Sequence, residues 1–489
     1  MGWTPRTDEG SGRFSQTHAT SSRDVATMSA HAIGDGAGGA CGVENPVRCV
    51  ESILFLSLME MLDHSCIRYC VVGDTRYFPD LIESDIDIVV EPRAVPEARR
   101  LIRRFADKYQ LDIVQLLQHE QSAFYYVIAW MDKKNRVRFL KPDLCGDYFR
   151  DGRRLISAGE LLSERRRAVG ADGCDKGFYV AAPQHEFLYY FLKRVDKKSV
   201  EDTHCEHLSL QWRLAPAQAR TCVDRFFGPR YAERVGEAAE SGNWTLVRDI
   251  LPELRRSLQA AANTSIKEHW RELVRRLSRM VRPTGLMVAF LGVDGAGKSS
   301  VINRVLNDLL PVFRRSAYFH FRPYVGRSDD RGAVVSAPHG KPLRSLPISM
   351  MKLGYYGFHY SLGYLLQVRM LLARSTLVAF DRYAHDVLVD PRRYRYGGPK
   401  WWARLVAGSA PSPDLLLLLD APVSVTQARK REVDPADAAR QRLAYRALTT
   451  ALPYGVVIDA AQPLDAVVSE VERHILRLLA QRTRNRHVL

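Results

Sequence analysis

The stretch Gly292-Val293-Asp294-Gly295-Ala296-Gly297-Lys298-Ser299 constrains this chain more than any other. It satisfies G-x-x-x-x-G-K-[ST] throughout, and its flanks suit the pattern. The apolar run Leu286–Leu291 before it reads as a buried strand, and Ser300–Leu306 after it reads as a helix. A strand, a glycine loop and a helix in that order make a phosphate cradle. Glycines let backbone N–H groups close around phosphate oxygens at a helix N-terminus. Gly292, Asp294, Gly295, Ala296, Gly297, Lys298, Ser299 and Ser300 are therefore the expected contacts to a nucleoside triphosphate. Lys298 is expected to reach the β- and γ-phosphates, and the Ser299 hydroxyl to hold Mg²⁺.

A chain of 489 residues with net charge +16 has room for several domains and an affinity for anions. Its Lys and Arg residues are spread along the chain, which suits an enzyme handling phosphates better than a nucleic-acid tail. A nucleic-acid partner is therefore not expected. No apolar run reaches the ~18 residues that span a bilayer; the most lipophilic region, Leu346–Leu372, is interrupted by Lys352, His359 and Arg369. Eight cysteines without a signal peptide point to a reducing cytoplasm. Cys66, Cys70 and His204-Cys205-Glu206-His207 lack the spacing of a zinc site and read as buried thiols and a helix surface.

Four segments follow from the patterning. Residues 1–45 are rich in Gly, Ser, Thr and Ala and read as a disordered tail. Residues 46–160 carry helices at Val50–Cys66 and Val95–Tyr109. Strands are expected at 68–72, 85–90, 124–128 and 136–140, an α+β domain. Residues 161–282 form a helical extension, with periodic helices from Pro183 to Arg279. From 283 to 489, strands at 286–291, 376–380, 415–419 and 456–458 alternate with helices, the last from Leu464. That alternation predicts an α/β fold with a parallel sheet flanked by helices on both faces.

Within the last segment, Asp381-Arg382-Tyr383 ends a buried strand. A carboxylate there can hold Mg²⁺, and the adjacent Arg can clamp a phosphate. Farther on stand Arg429, Lys430, Arg431, Arg440 and Arg442, cations that could neutralise a transferring phosphoryl group; Arg429 and Arg431 are taken into the site.

Together, Phe290–Ser299, Asp381-Arg382-Tyr383, Leu419-Asp420-Ala421-Pro422, Arg429 and Arg440–Tyr445 resemble the thymidylate kinases, in the order of that family, over about 285–485. The resemblance implies a P-loop kinase fold and transfer of the γ-phosphoryl group of Mg-ATP to a nucleoside monophosphate, dTMP first. Asp294 matches the loop acid that touches the acceptor nucleotide; Lys298, Asp381, Arg382, Arg429 and Arg431 are the expected catalytic set. A homodimer is compatible with it. The chain departs from the family in two places. His320-Phe321-Arg322-Pro323 replaces Arg-Glu-Pro-Gly-Gly, and the residues that read thymine are missing after Tyr383. The loops 338–341 and 394–402 interleave basic and aromatic residues. They leave open a larger phosphorylated acceptor, such as a sugar or lipid-linked phosphate, or an ATP-binding regulatory protein.

In the first domain, Gly73-Asp74 followed by Asp85-Ile86-Asp87 resembles the nucleotidyltransferases over about 46–150. Period two puts Asp85 and Asp87 on one face of a strand. With Asp143 they form a candidate second metal site for a two-metal transfer. The family carries Gly or Ser where this chain has Asp74, an anion facing the triphosphate. A degenerate binding module therefore remains the alternative.

Overall fold

The computed structural model describes residues 49–120, 122–150, 153–260, 277–323, 342–430 and 434–487, with isolated positions 270 and 274. The tail expected at 1–45, the loop 338–341 and Arg431 lie outside the described residues.

Two sheets organise the chain from Cys49 onward. The first is mixed. Its strands are β1 (Tyr69–Val72), β2 (Ile86–Val90), β3 (Asp112–Glu120), β4 (Ala123–Met131), β5 (Val137–Leu140), β6 (Pro142–Cys145), β9 (Arg166–Val169) and β10 (Asp175–Val180). A short hairpin, β7 (Tyr148–Arg150) and β8 (Arg153–Ile156), stands apart. The order is β3-β4-β6-β2-β1-β10-β9, with β5 on β4. Helices α1 (Val50–His64) and α2 (Val95–Lys108) cover one face. Helix α2 does so because Val95, Ala98, Leu101, Ile102 and Phe105 recur at helical spacing and are buried. The sheet runs past residue 160: β9 and β10 fall inside the stretch read as a helical extension. The helices begin after the short α3 (Ala158–Ser163), at α4 (Pro183–Lys197). With α5 (Asp202–Leu214), α6 (Pro216–Phe227), α7 (Pro229–Ser241) and α8 (Thr245–Ala260), α4 packs around Phe187, Trp212 and Trp244.

The second sheet is wholly parallel, as expected. Its order is β12-β13-β11-β14-β15, from β11 (Leu286–Leu291), β12 (Arg315–His320), β13 (Thr376–Asp381), β14 (Leu415–Asp420) and β15 (Gly455–Asp459). Every residue of β11, β13 and β14 is buried, which is why these strands read as unbroken apolar runs. Helix α9 (Lys298–Asp308) leaves the glycine loop. Helices α10 (Leu346–Gly363), α11 (Arg369–Ala373), α12 (Asp386–Val389), α13 (Lys400–Ser409), α14 (Val423–Arg429), α15 (Pro435–Thr450) and α16 (Leu464–His487) complete the layers.

The lobes share one core. Val114, Val127 and Ala129 of the first sheet pack in the same cluster as Val288, Val305 and Val471 of the second lobe. Gln115 is buried, and its Nε2 donates to the Thr284 carbonyl at 3.1 Å. No helix among the described residues is long and apolar enough to cross a membrane.

Candidate active site

β11 lies between β13 and β14, so the chain departs to both sides of it. The crevice at the carboxyl ends of such strands is where open parallel sheets place ligands. The glycine loop sits there. Gly292, Gly295 and Gly297 have φ of 148°, 84° and 89°. A Cβ on Gly292 would lie 2.7 Å from the Leu419 carbonyl oxygen, and one on Gly295 2.6 Å from that of Thr426. Only glycine allows both the conformation and the approach. Gly297 caps α9, so the helix N-terminus opens onto the loop.

Lys298 is buried and folded back on the loop. Its Nζ donates to the carbonyls of Gly292 at 2.8 Å and Val293 at 3.1 Å, and lies 4.0 Å from Asp294 Oδ1. Burial, then the Arg382 charge, pushes its pKa down to about 8. Ser299 Oγ donates to Asp381 Oδ2 at 3.2 Å, and the Tyr318 hydroxyl donates to the same oxygen at 3.0 Å. Asp381 Oδ1 is buried and has no hydrogen-bond partner among the described residues. An orphaned carboxylate oxygen beside a serine hydroxyl suits Mg²⁺, and Ser299 and Asp381 therefore fit the ion. No cluster of three His, Cys, Asp or Glu suited to a metal occurs among the described residues. The remaining ligands of such an ion would be phosphate oxygens and water.

Arg382 leaves β13 with φ 72°, an uncommon conformation for a residue with a side chain. Its amide bonds the Phe290 carbonyl at 2.9 Å, and its guanidinium is spread between two carboxylates. Nη1 donates to Asp386 Oδ2 at 2.9 Å, and Nη2 donates to Asp294 Oδ1. Arg393 Nη1 donates to the other Asp294 oxygen. Burial raises the Asp294 pKa, but Arg382, Lys298 and Arg393 outweigh it and hold the group well below the usual carboxylate range. Asp386 is fully buried and also accepts from the hydroxyls of Tyr394, at 2.6 Å, and Tyr445. Asp386 and Arg393 carry no role in the sequence analysis, and Tyr394 and Tyr445 enter it only within the loop 394–402 and the segment Arg440–Tyr445. Arg382 lies outside any helix, with φ 72°, and the helix starts only at Asp386, so no periodic pattern announced the pair.

The expected cations divide. Arg429 stays beside the loop: its Nη1 lies 3.7 Å from where a Gly297 Cβ would be, and it donates to the Ala460 carbonyl at 3.3 Å. Arg442 forks onto Asp420 at 2.6 and 2.9 Å, and Arg440 pairs with Asp437 at 2.7 Å. These two brace α15 rather than reach the loop.

In the first lobe, Asp87 and Asp143 are register partners on the parallel strands β2 and β6. Asp85 stands just before β2, and a cavity of about 170 Å³ touches Asp85, Tyr125, Asp143 and Arg314 of the second lobe. The three acids are thus brought together; Asp85 and Asp87 each meet an ammonium, while Asp143 Oδ1 is buried with no hydrogen-bond partner among the described residues. Lys193 Nζ donates to Asp87 Oδ2, which also accepts from the Tyr189 hydroxyl at 3.2 Å. Lys141 lies 3.1 Å from Asp85. Burial, then the Asp87 charge, pushes the Asp143 pKa up to about 7, against the pull of Lys193 and Arg314. At Asp85 and Asp87 the counter-charge that a divalent ion would bring is already supplied by Lys141 and Lys193. The loop before them is also filled. The Gly73 amide donates to Glu186 Oε1 at 2.8 Å, and Asp74 is held by Arg76 Nε at 2.9 Å and Nη2 at 2.8 Å. Of the thiols, Cys66 is exposed, while Cys70 and Cys205 are buried. His207 faces Glu186 and Asp74 rather than a metal.

No protein-family model and no curated protein matches the chain.

Proposed function

We propose that the second lobe is an ATP-dependent phosphotransferase of the thymidylate kinase type. It moves the γ-phosphoryl group of Mg-ATP to the phosphate of a nucleoside monophosphate, with dTMP the first acceptor to test. The reading rests on one observation. The glycine loop at the carboxyl end of the central parallel strand carries a serine whose hydroxyl meets a carboxylate with a free buried oxygen.

In this mechanism an acceptor phosphate oxygen bonds to the γ-phosphorus as the bond to the β–γ bridging oxygen breaks, releasing ADP. Lys298 exchanges its two carbonyl partners for phosphate oxygens, which restores its full charge. Arg382 orients the acceptor phosphate, and Arg429 adds charge beside the loop. Bound Mg²⁺, held by Ser299 and Asp381, would neutralise the phosphates. Catalysis is then mostly positioning and electrostatics.

A second reading, a larger phosphorylated acceptor, has one observation in its favour. Past the end of β12, Arg322 lies 4.7 Å over the Tyr356 ring and Lys352 5.9 Å from the same ring. That cationic, aromatic surface exceeds what a single phosphate requires.

An acceptor panel with γ-labelled ATP on the full chain tests both. Label on dTMP that disappears in Lys298→Ala and Asp381→Asn supports the first reading, and label only on a larger phosphate ester supports the second. ATP hydrolysis that no acceptor stimulates overturns both.

A further inference from the structure

The first lobe brings Asp85, Asp87 and Asp143 close together on and beside two parallel strands. Asp85 lies 3.1 Å from Lys141 Nζ, Asp87 accepts from Lys193 Nζ, and Asp143 lies within the fields of Lys193 and Arg314. Two of these cations belong to the first lobe's own elements. Lys141 lies in the link between β5 and β6, and Lys193 is on α4, one turn beyond Tyr189, which binds the same Asp87 oxygen. The third, Arg314, comes from the turn before β12 and lines the cavity between the lobes. Ammonium groups thus stand on Asp85 and Asp87 before any ligand arrives. A divalent ion entering there would find its central ligand already taken by Lys193.

The neighbouring loop repeats the pattern with opposite sign. A triphosphate would need the Gly73 amide and a neutral side chain after it. That amide already donates to the buried Glu186 carboxylate at 2.8 Å. Glu186 in turn lies 3.2 Å from His207 Nε2, and His207 Nδ1 lies 3.4 Å from Asp74 Oδ1. Asp74 is gripped by Arg76 through two nitrogens. An internal carboxylate takes the anion's place on the amide, as an internal ammonium takes the cation's place on Asp87. Both substitutions come from the same helix, α4, which carries Glu186, Tyr189 and Lys193 on successive turns. One helix therefore closes both halves of the site.

We infer that Lys193 stands where a divalent cation would sit, so that the first lobe is a metal-free scaffold for the second lobe and does not transfer nucleotidyl groups. The inference is independent of the phosphotransferase reading, because its test uses no turnover.

The test is a Mn²⁺ titration followed by electron paramagnetic resonance. It uses the full chain without nucleotide and carries Asp381→Asn to remove the second lobe's metal partner. The expected result is no stoichiometric Mn²⁺ site. Adding Lys193→Met frees Asp87 and Asp143 and should create one, binding at least about tenfold tighter than the parent. Adding Asp143→Asn should abolish it. A Mn²⁺ site in the chain that retains Lys193, lost on Asp87→Asn, overturns the inference. So does a Lys193→Met chain that keeps its fold by circular dichroism and gains no site. Should Lys193→Met not fold, the chain with Lys193 decides alone: no site supports the inference, and a site sensitive to Asp87→Asn overturns it.

Discussion

Asp386 holds Arg382 in a buried ion pair, with Arg382 Nη1 donating to Asp386 Oδ2 at 2.9 Å and neither side chain more than 4% exposed. The pair turns the guanidinium so that its other terminal nitrogen reaches Asp294 in the glycine loop. The Asp386 carboxylate bonds Arg382, Tyr394 and Tyr445. It acts on the loop through Arg382, and is itself fixed by the two tyrosines.

Removing Asp386 should therefore cost more than one hydrogen bond. Asp386→Ala leaves Arg382 with Asp294 as its remaining carboxylate partner and one buried guanidinium nitrogen without its own, a loss of about 3 kcal/mol. Tyr445→Phe leaves the ion pair in place and should cost about 1 kcal/mol. Urea denaturation of the two variants gives the comparison. Equal losses would mean that the ion pair is not what holds this corner.

Lys298 should take up a proton when nucleotide binds. Burial and Arg382 hold its pKa down to about 8 in the free protein. Phosphate oxygens favour the charged form and would raise it. Below about pH 7 the group is already charged and no uptake is expected from it. Near pH 8.5 much of the population must gain a proton on binding. Calorimetry of ATP binding in buffers of different ionisation enthalpy measures this directly. Lys298→Arg should abolish the uptake, because a guanidinium stays charged throughout.

The strands that carry this site were legible, and the contacts that orient it were not. β11, β13 and β14 are buried on both faces, so each is an unbroken apolar run, and the glycine loop announces itself by pattern. β12 escaped because Arg315–His320 is an edge strand with only Phe319 buried. β3 escaped because Gln115 interrupts its apolar pattern; that side chain is buried only because Thr284 and Val312 of the other lobe offer carbonyls. Lys298 and Ser299 followed from spacing, and Asp381 from its place at the end of a buried apolar run. Tyr445 did not, since it meets Asp386 across 59 residues of chain. Likewise nothing local to Asp85-Ile86-Asp87 shows that Lys193, far along the chain, will neutralise Asp87.

His207 should give the protein an alkaline limit. It is 1% exposed between Glu186 and Asp74. Burial opposes its charge, but the two carboxylates outweigh burial and hold its pKa up to about 9. A group raised from an unfolded value near 6.5 stabilises fully below that pH and loses its contribution as pH rises through about 9. The difference is on the order of 3 kcal/mol. Thermal midpoints should fall between roughly pH 7 and pH 10 in the parent. In His207→Gln the midpoint should start lower and fall less over the same range. Parallel curves for the two proteins would remove His207 as the cause.

The second lobe should not survive alone, although its motifs are complete within residues 283–489. One face of its sheet is finished by the first lobe: Val114, Val127 and Ala129 share a core with Val288, Phe290 and Val471. The last helix, α16, is tied to the same surface. Thr483 Oγ1 donates to the Val114 carbonyl at 3.3 Å, and Ser469 Oγ to that of Asn135 at 2.8 Å. Cutting at residue 282 exposes this apolar face and leaves Gln115's partners, the carbonyls of Thr284 and Val312, without it. At about 25 cal/mol per Å² of apolar surface, three buried aliphatic contacts and their neighbours are worth several kcal/mol, comparable with the roughly 5–15 kcal/mol by which a domain is stable. Residues 283–489 should therefore aggregate or bind a hydrophobic dye, while the full chain unfolds in a single step. Val127→Asp, a charge placed in the shared core, should lower the melting of both lobes together. Two separate transitions in the parent, or a soluble and cooperatively folded 283–489 fragment, would show that the lobes are independent.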